Sequence, residues 1–221
     1  MKNEKHRQMS DSFLVAAFVV LSGGLQDAYT YFCRDSVFAN AQTGNIVLFS
    51  AHLFDGNLSG ALRYAVPVLA FFGGIFAAEL VHRRLRMKQR VHWRQIILAL
   101  EVLLLALVGF LPQKYNAAAT ALVSFSCAMQ VQAFRTVHGC GYASTMCIGN
   151  LRSGAEALCA YCHDKSRDSL RRAGIYFSVI ALFGLGAGAG AVLTSALGER
   201  AIWCSCLLLI VGIVLMCRDR R

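Results

Sequence analysis

Charge is the first thing this sequence is short of. Only 15% of its 221 residues are charged, 57% are hydrophobic, and the mean hydropathy is +0.51. A soluble domain carries about 25% charged residues, so a chain this apolar would leave too much greasy surface in water. Proline is scarce as well. With two prolines and no Ser/Gly-rich stretch there is no linker, and residues 1–221 read as one membrane domain. Signatures of catalysis and cofactor binding are missing too. No H-E-x-x-H, nucleophilic-serine motif or acidic metal cluster occurs, which argues against an enzyme and against a resident cofactor or metal. The net charge of +10 invites a nucleic-acid reading, but no aromatic residues are spaced among the basic clusters to stack on bases.

What the sequence has is apolar runs. Six are long enough to span a bilayer, at roughly 12–32, 61–82, 95–112, 116–135, 173–197 and 200–217. Two weaker runs, 36–54 and 141–161, are interrupted by Asn40, Gln42, Thr43 and Asn45 in the first and by Thr145, Asn150, Arg152 and Glu156 in the second. Charge decides how these two run. If both crossed fully, the loop carrying Arg83, Arg84, Arg86, Lys88, Arg90 and Arg94 would fall outside, against the positive-inside rule. If both enter and return to the same side, 17 of the 22 Lys and Arg lie inside. Arg34, Arg63, Lys114 and Arg200 lie outside, and Arg152 stays within the second weak run. The expectation is an all-α polytopic protein of a bacterial plasma membrane, with six transmembrane helices, two broken, re-entrant segments and both termini cytoplasmic. Lys2, Lys5 and Arg7 ahead of the first run imitate a signal peptide. No small-x-small cleavage site follows, so the run is expected to be retained.

The two weak runs are related. Thr43-Gly44-Asn45 and Ile148-Gly149-Asn150 stand 105 positions apart, and at that offset Asp27 falls on Gln132, Ala28 on Ala133 and Tyr29 on Phe134. Phe72-Gly73 matches Phe183-Gly184 at an offset of 111. Two repeats are expected, about 12–112 and 116–217. With three full crossings each, the second is inverted relative to the first. Interrupted segments in inverted repeats are the architecture of many transporters, whose irregular backbone lines a cavity or is buried in protein.

Gly23-Gly24-Leu25-Gln26-Asp27-Ala28, Gln42-Thr43-Gly44-Asn45, the basic loop and the second Gly-Asn at 149–150 together resemble the YoaK-like family of small bacterial integral membrane proteins, a domain of unknown function (DUF1275). The likeness covers nearly the whole chain. It departs at Ile148, where the family often has Thr. The resemblance implies a bacterial plasma membrane and no settled activity.

The candidate site follows from polarity at depth. Asp27 lies about fifteen residues into its helix, where a charge costs roughly 2.5–3.5 kcal/mol on insertion scales, so it reads as an ion or proton site or as a structural hydrogen-bonding group. Thr43, Gly44 and Asn45 read as the break and capped start of a half-helix, with Gly149 and Asn150 doing the same from the other side. Two helix starts near the midplane would favour an anionic or dipolar solute. Gln132 completes the set as the counterpart of Asp27. Arg152 pairs either with Glu156 at i, i+4 or with Asp27 or a substrate anion. Glu79 reads as an interfacial partner of the arginines that follow it, and Glu101 as a group that pairs or titrates. The glycines at 184, 186, 188 and 190 contain G-x-x-x-G twice and read as helix packing, within the chain or as a homo-oligomer contact. Cys159-Ala-Tyr-Cys162-His163 matches a haem-attachment pattern but falls on the cytoplasmic side of this topology; a zinc site with His138 ranks ahead of haem, and small apolar packing ahead of both. The leading expectation is a small-solute transporter or channel, with membrane lipid and a small-molecule or ion substrate as its partners. The rival is a membrane interaction or assembly protein whose polar motifs only lock helices together.

Overall fold

The computed structural model describes residues 11–85 and 93–218, so Lys2, Lys5, Arg7, the basic positions 86–90 and the charges after Arg218 lie outside the described residues. Eight α-helices and one small hairpin are present among the described residues: α1 Phe13–Cys33, α2 Gln42–Phe54, α3 Leu58–Leu85, α4 Trp93–Val108, α5 Asn116–Ala133, β1 Thr136–Val137, β2 Cys140–Gly141, α6 Cys147–Asp164, α7 Arg167–Leu197 and α8 Ile202–Arg218. Helix boundaries follow local chemistry. The Ser12 side chain accepts the Val15 N–H at 3.3 Å and starts α1, and Ser166 accepts the Asp168 N–H to start α7. Gly198, at φ 57°, ends α7 in a conformation that favours glycine, and a 3-10 turn leads into α8.

The six long apolar runs of the sequence correspond to α1, α3, α4, α5, α7 and α8. Each weak run becomes a non-helical loop followed by a helix, α2 or α6. Among the described residues, three helical stretches are long and apolar enough to cross a membrane, 13–33, 58–84 and 167–218, the last comprising α7, the turn and α8.

Packing is exchanged between the two halves of the chain. α1 lies mainly against α7, and α5 mainly against α3. α2 rests on α3, and α6 on α7. α8 packs on α1 and α4, while α4 also packs on α5. Small residues permit the closest approaches. A Cβ on Gly24 would collide with the Phe183 carbonyl and stand 2.8 Å from the Ala187 nitrogen, and one on Gly74 would collide with the Phe125 carbonyl. Gly186 and Gly190 face α1, whereas Gly184 and Gly188 face outward with nothing within 4 Å of an added Cβ.

Polarity is arranged inside out. Leu69, Phe72 and Phe76 of α3, Leu103 and Leu107 of α4, Leu185 and Val192 of α7 and Leu207 of α8 are exposed, while Ser22, Gln26, Arg34, Asn45, Glu101, Ser124, Gln130 and Ser205 are fully buried. The helix ends fall into two sets. At one end the α1 C-terminus, the α4 C-terminus, the α5 N-terminus and the turn before α8 meet around Arg34, Gln113 and Trp203. At the other, Asp11 reaches Thr136, Glu79 reaches Gln132, and His82 stacks on Trp93.

Candidate functional site

Each loop ahead of α2 and α6 is closed by an asparagine in the fourth helical position. Asn45 Oδ1 accepts the Phe38 N–H at 3.3 Å and its Nδ2 donates to the Phe38 carbonyl at 2.7 Å. Asn150 makes the same pair with Ala143, at the same 3.3 and 2.7 Å. A primary amide is the side chain that offers one acceptor and a donor in this spacing, so it imitates a strand partner and holds a buried loop that has no sheet to join. Neither asparagine caps its helix, and neither does Thr43. The N-cap positions are Ala41 and Met146, with no side-chain capping bond. That corrects the capped half-helix expected from the sequence: the amides are spent on the loop, not on the helix start.

The loops converge one turn upstream of these asparagines, on the Gly23–Asp27 face of α1. Asn40 Nδ2 donates to the Gly23 carbonyl at 3.3 Å, and Asp27 Oδ1 accepts the Asn40 N–H at 2.8 Å. From the second loop, Thr145 Cγ2 would stand 2.7 Å from a Cβ on Gly23, with Gln130 Nε2 at 3.7 Å and the Ser144 carbonyl at 3.9 Å. Asp27, Asn40, Gln130, Ser144 and Thr145 are all buried. Thr30 supports the same region by accepting the Ala39 N–H. What meets at the centre is therefore the pair of loops, through Asn40 and Thr145, and not the two Gly-Asn pairs themselves.

A second polar network occupies the next face of α1. Gln26 Nε2 donates to Ser22 Oγ at 2.9 Å, Glu101 Oε1 at 3.0 Å and Ser205 Oγ at 3.1 Å. Ser22 and Ser205 are 2.5 Å apart, and the Cys127 thiol donates to Gln26 Oε1. α1, α4, α5 and α8 are thus tied at one level. A third cluster surrounds Arg34, which is fully buried and held by neutral acceptors. Its guanidinium donates to Tyr29 Oη, Asn116 Oδ1 and the Val108 and Leu111 carbonyls, and Asn116 passes the polarity on to Asp35 at 2.7 Å. Beside it opens a cavity of about 620 Å³, lined among others by Tyr31, Asp35, Gln113, Asn116 and Thr194.

The remaining sequence candidates lie elsewhere. Thr43, Gly149 and Arg152 are exposed. Arg152 Nε donates to Glu156 at 2.9 Å, so it pairs along α6 and not with Asp27. Gln132 donates to Glu79, which also takes Arg83 at 2.8 Å. Gly44 sits against the Phe38 ring. Glu101 pairs with Gln26 and not with an arginine. Cys159 and Cys162 are exposed free thiols, and the described residues contain no His/Cys/Asp/Glu group placed to hold a metal. Asn40 and Thr145 carried a readable signal, since they stand at the same 105-residue offset as the Gly-Asn pairs. Gln130 and Arg34 carried none: one stands two residues from Gln132, which the repeat offset singled out instead, and the other is a cation at a helix end.

No curated protein and no solved structure matches the chain. A family model described as "Protein of unknown function (DUF1275)" matches residues 15–215, nearly the whole length and every element of the centre just described, and the chain belongs to that family.

Proposed function

We propose that this protein is a small-solute carrier of the bacterial plasma membrane, with six crossings, both termini cytoplasmic, and a central site where two re-entrant loops meet. The inside-out polarity supports the membrane setting. So does the distribution of basic residues: Arg83, Arg84, Arg94, Arg135 and Arg218 belong to one set of helix ends, and Arg34, Lys114 and Arg200 to the other. The exchanged packing supports an inverted 3+3 repeat, because swapping the halves turns the α1–α7 contact into α5–α3 and the α1–α8 contact into α5–α4. The matching amide pairs of Asn45 and Asn150 support it further.

One observation carries the transport reading. Non-helical backbone from both halves reaches a buried polar centre, where Asn40 Oδ1, Gln130 Oε1 and Thr145 Oγ1 have no hydrogen-bond partner among the described residues. A centre built only to lock helices would pair these atoms, since each buried polar group left alone costs about 1–3 kcal/mol. Burial of Asp27 at 7% exposure fits an occluded carrier state better than an open channel.

The rival, a membrane assembly protein, draws its support from Asn45 and Asn150, whose amides are used up inside their own loops. A screen of small solutes by thermal shift on the purified protein, repeated on Asp27→Asn, separates the two. The carrier reading expects a stabilising solute whose effect Asp27→Asn abolishes while the variant still folds. If no solute stabilises the wild type and Asp27→Asn merely lowers the melting temperature, the centre is structural.

A further inference from the structure

The cavity beside Arg34 lies at the end of the bundle where α1 and α7 finish and α5 begins. Its volume of about 620 Å³ falls in the range of small-molecule sites, about 300–1,000 Å³. Three separate parts of the chain share its wall. Tyr31, Phe32 and Asp35 come from the end of α1 and the turn after it, Gln113 and Asn116 from the approach to α5, and Thr194 from the last turn of α7. Thr194 is 6% exposed, and its hydroxyl has no hydrogen-bond partner among the described residues. A hydroxyl withdrawn from water and left alone is costly, and a molecule in the cavity would give it the partner that the chain withholds.

The amide and guanidinium donors around this space are already spent. Asn116 Nδ2 donates to Asp35 Oδ1 at 2.7 Å, and Gln113 Nε2 donates to Cys33 Sγ at 3.5 Å. Arg34 donates to Tyr29, Asn116 and the Val108 and Leu111 carbonyls. Asp35 Oδ2 and Gln113 Oε1 take part in none of these bonds, so the wall keeps acceptors in surplus. Among the described residues no lysine or arginine lines the cavity, and Asp35 is its one charged member. Tyr31 and Phe32 meet edge to face at 5.2 Å in the same wall, and the Phe32 ring is exposed. Aromatic rings attract ammonium groups and cover alkyl carbon.

We infer that this cavity binds a small organic ammonium ion, with the Asp35 carboxylate as its counter-charge, Gln113 and Thr194 as oxygen acceptors, and Tyr31 and Phe32 against its alkyl carbons. An anion would meet no lining cation and few free donors. A neutral alcohol would leave the Asp35 charge unanswered. In the six-crossing arrangement this end of the bundle is external, so the cavity would collect solute before the centre receives it. That role as an entrance rests on the carrier reading; binding rests on the cavity alone.

The test is the melting temperature of the purified full-length protein in detergent at neutral pH and constant ionic strength. Butylammonium chloride, butanol and sodium butyrate serve as probes of one chain length and different charge. Butylammonium should stabilise saturably, and butanol and butyrate should not. Asp35→Asn keeps the oxygen that Asn116 bonds but removes the charge. It should raise the half-saturating butylammonium concentration by roughly tenfold or more, the scale of a lost hydrogen bond to a charged group. Thr194→Val removes an unpartnered hydroxyl at constant shape, so the ligand-free melting temperature should hold or rise while binding weakens, and Thr194→Ser should restore binding. No saturable response to butylammonium, an equal response to butanol, or a wild-type response in Asp35→Asn would overturn the inference. So would loss of the response in Asp27→Asn, which would move the amine to the centre. In proteoliposomes, solute uptake by a protein that ignores butylammonium removes the cavity site and leaves the carrier. Butylammonium binding without uptake of any solute upholds the cavity site and removes the carrier.

Discussion

Two glycines separated by one residue on α7 should respond to alanine with opposite signs. A Cβ on Gly186 would collide with the Leu21 carbonyl oxygen and stand 2.9 Å from the Leu21 Cα and carbonyl carbon. Carbon atoms pack comfortably at about 3.5–4.0 Å, so α1 and α7 would have to part by roughly 1 Å along their main contact. Backbone on both sides cannot rotate away as a flexible side chain would, which places the substitution at the upper part of the overpacking range, about 2–3 kcal/mol. At Gly188 an added Cβ meets nothing within 4 Å, and alanine gains up to about 1 kcal/mol of helix propensity. Gly186→Ala should therefore lose 2–3 kcal/mol (~2–3 by the same overpacking range), and Gly188→Ala should be neutral or slightly stabilising. Both are read as midpoint shifts in denaturant unfolding of detergent-solubilised protein. Equal effects of the two substitutions would refute the assignment of faces. A loss confined to Gly188→Ala, accompanied by a change in oligomeric mass, would move the glycine stripe from the interior to a contact between copies.

The loop amides should behave as a near-matched pair: Asn45→Ala removes three hydrogen bonds, one of them to Gln42 Oε1, Asn150→Ala removes two, and both strand a backbone N–H and C=O, so each should cost about 2–4 kcal/mol, measured by the same unfolding assay. If one is neutral, the two loops are not held in the same way. For topology, reporters fused after Arg172 should read cytoplasmic and those after Lys114 external, and an external signal at Arg172 would sink the six-crossing arrangement.

The sequence exposed the architecture where chemistry is local and repeated. The apolar runs located the long helices within a few residues, and the recurrence of Gly-Asn pointed to two segments that the structure builds with identical bonds. Local rules also misled. An asparagine after a glycine ahead of an apolar run reads as a cap, because capping spans three residues, whereas the real partners Phe38 and Ala143 lie seven residues back. Arg34 counted as one more external charge because nothing nearby in sequence reveals that Asn116, Val108 and Leu111 fold over it. The Gln26 network was out of reach for the same reason, with partners on α4, α5 and α8. The glycine stripe was legible as packing, but its two faces became distinct only once α1 was placed against α7.

The exchanged packing also dictates an order of manufacture. α1 emerges first, yet the surface it needs belongs to α7 and α8, and the bond between Ser22 and Ser205 joins residues 183 apart. At a synthesis rate of roughly 5–20 residues per second, α1 waits about 10–40 s before that partner exists. During this interval Ser22 and Gln26 wait without the Ser205 hydroxyl that both bond in the finished protein. Neither half owns a finished interior, so the core closes only once α7 and α8 have been made and not helix by helix.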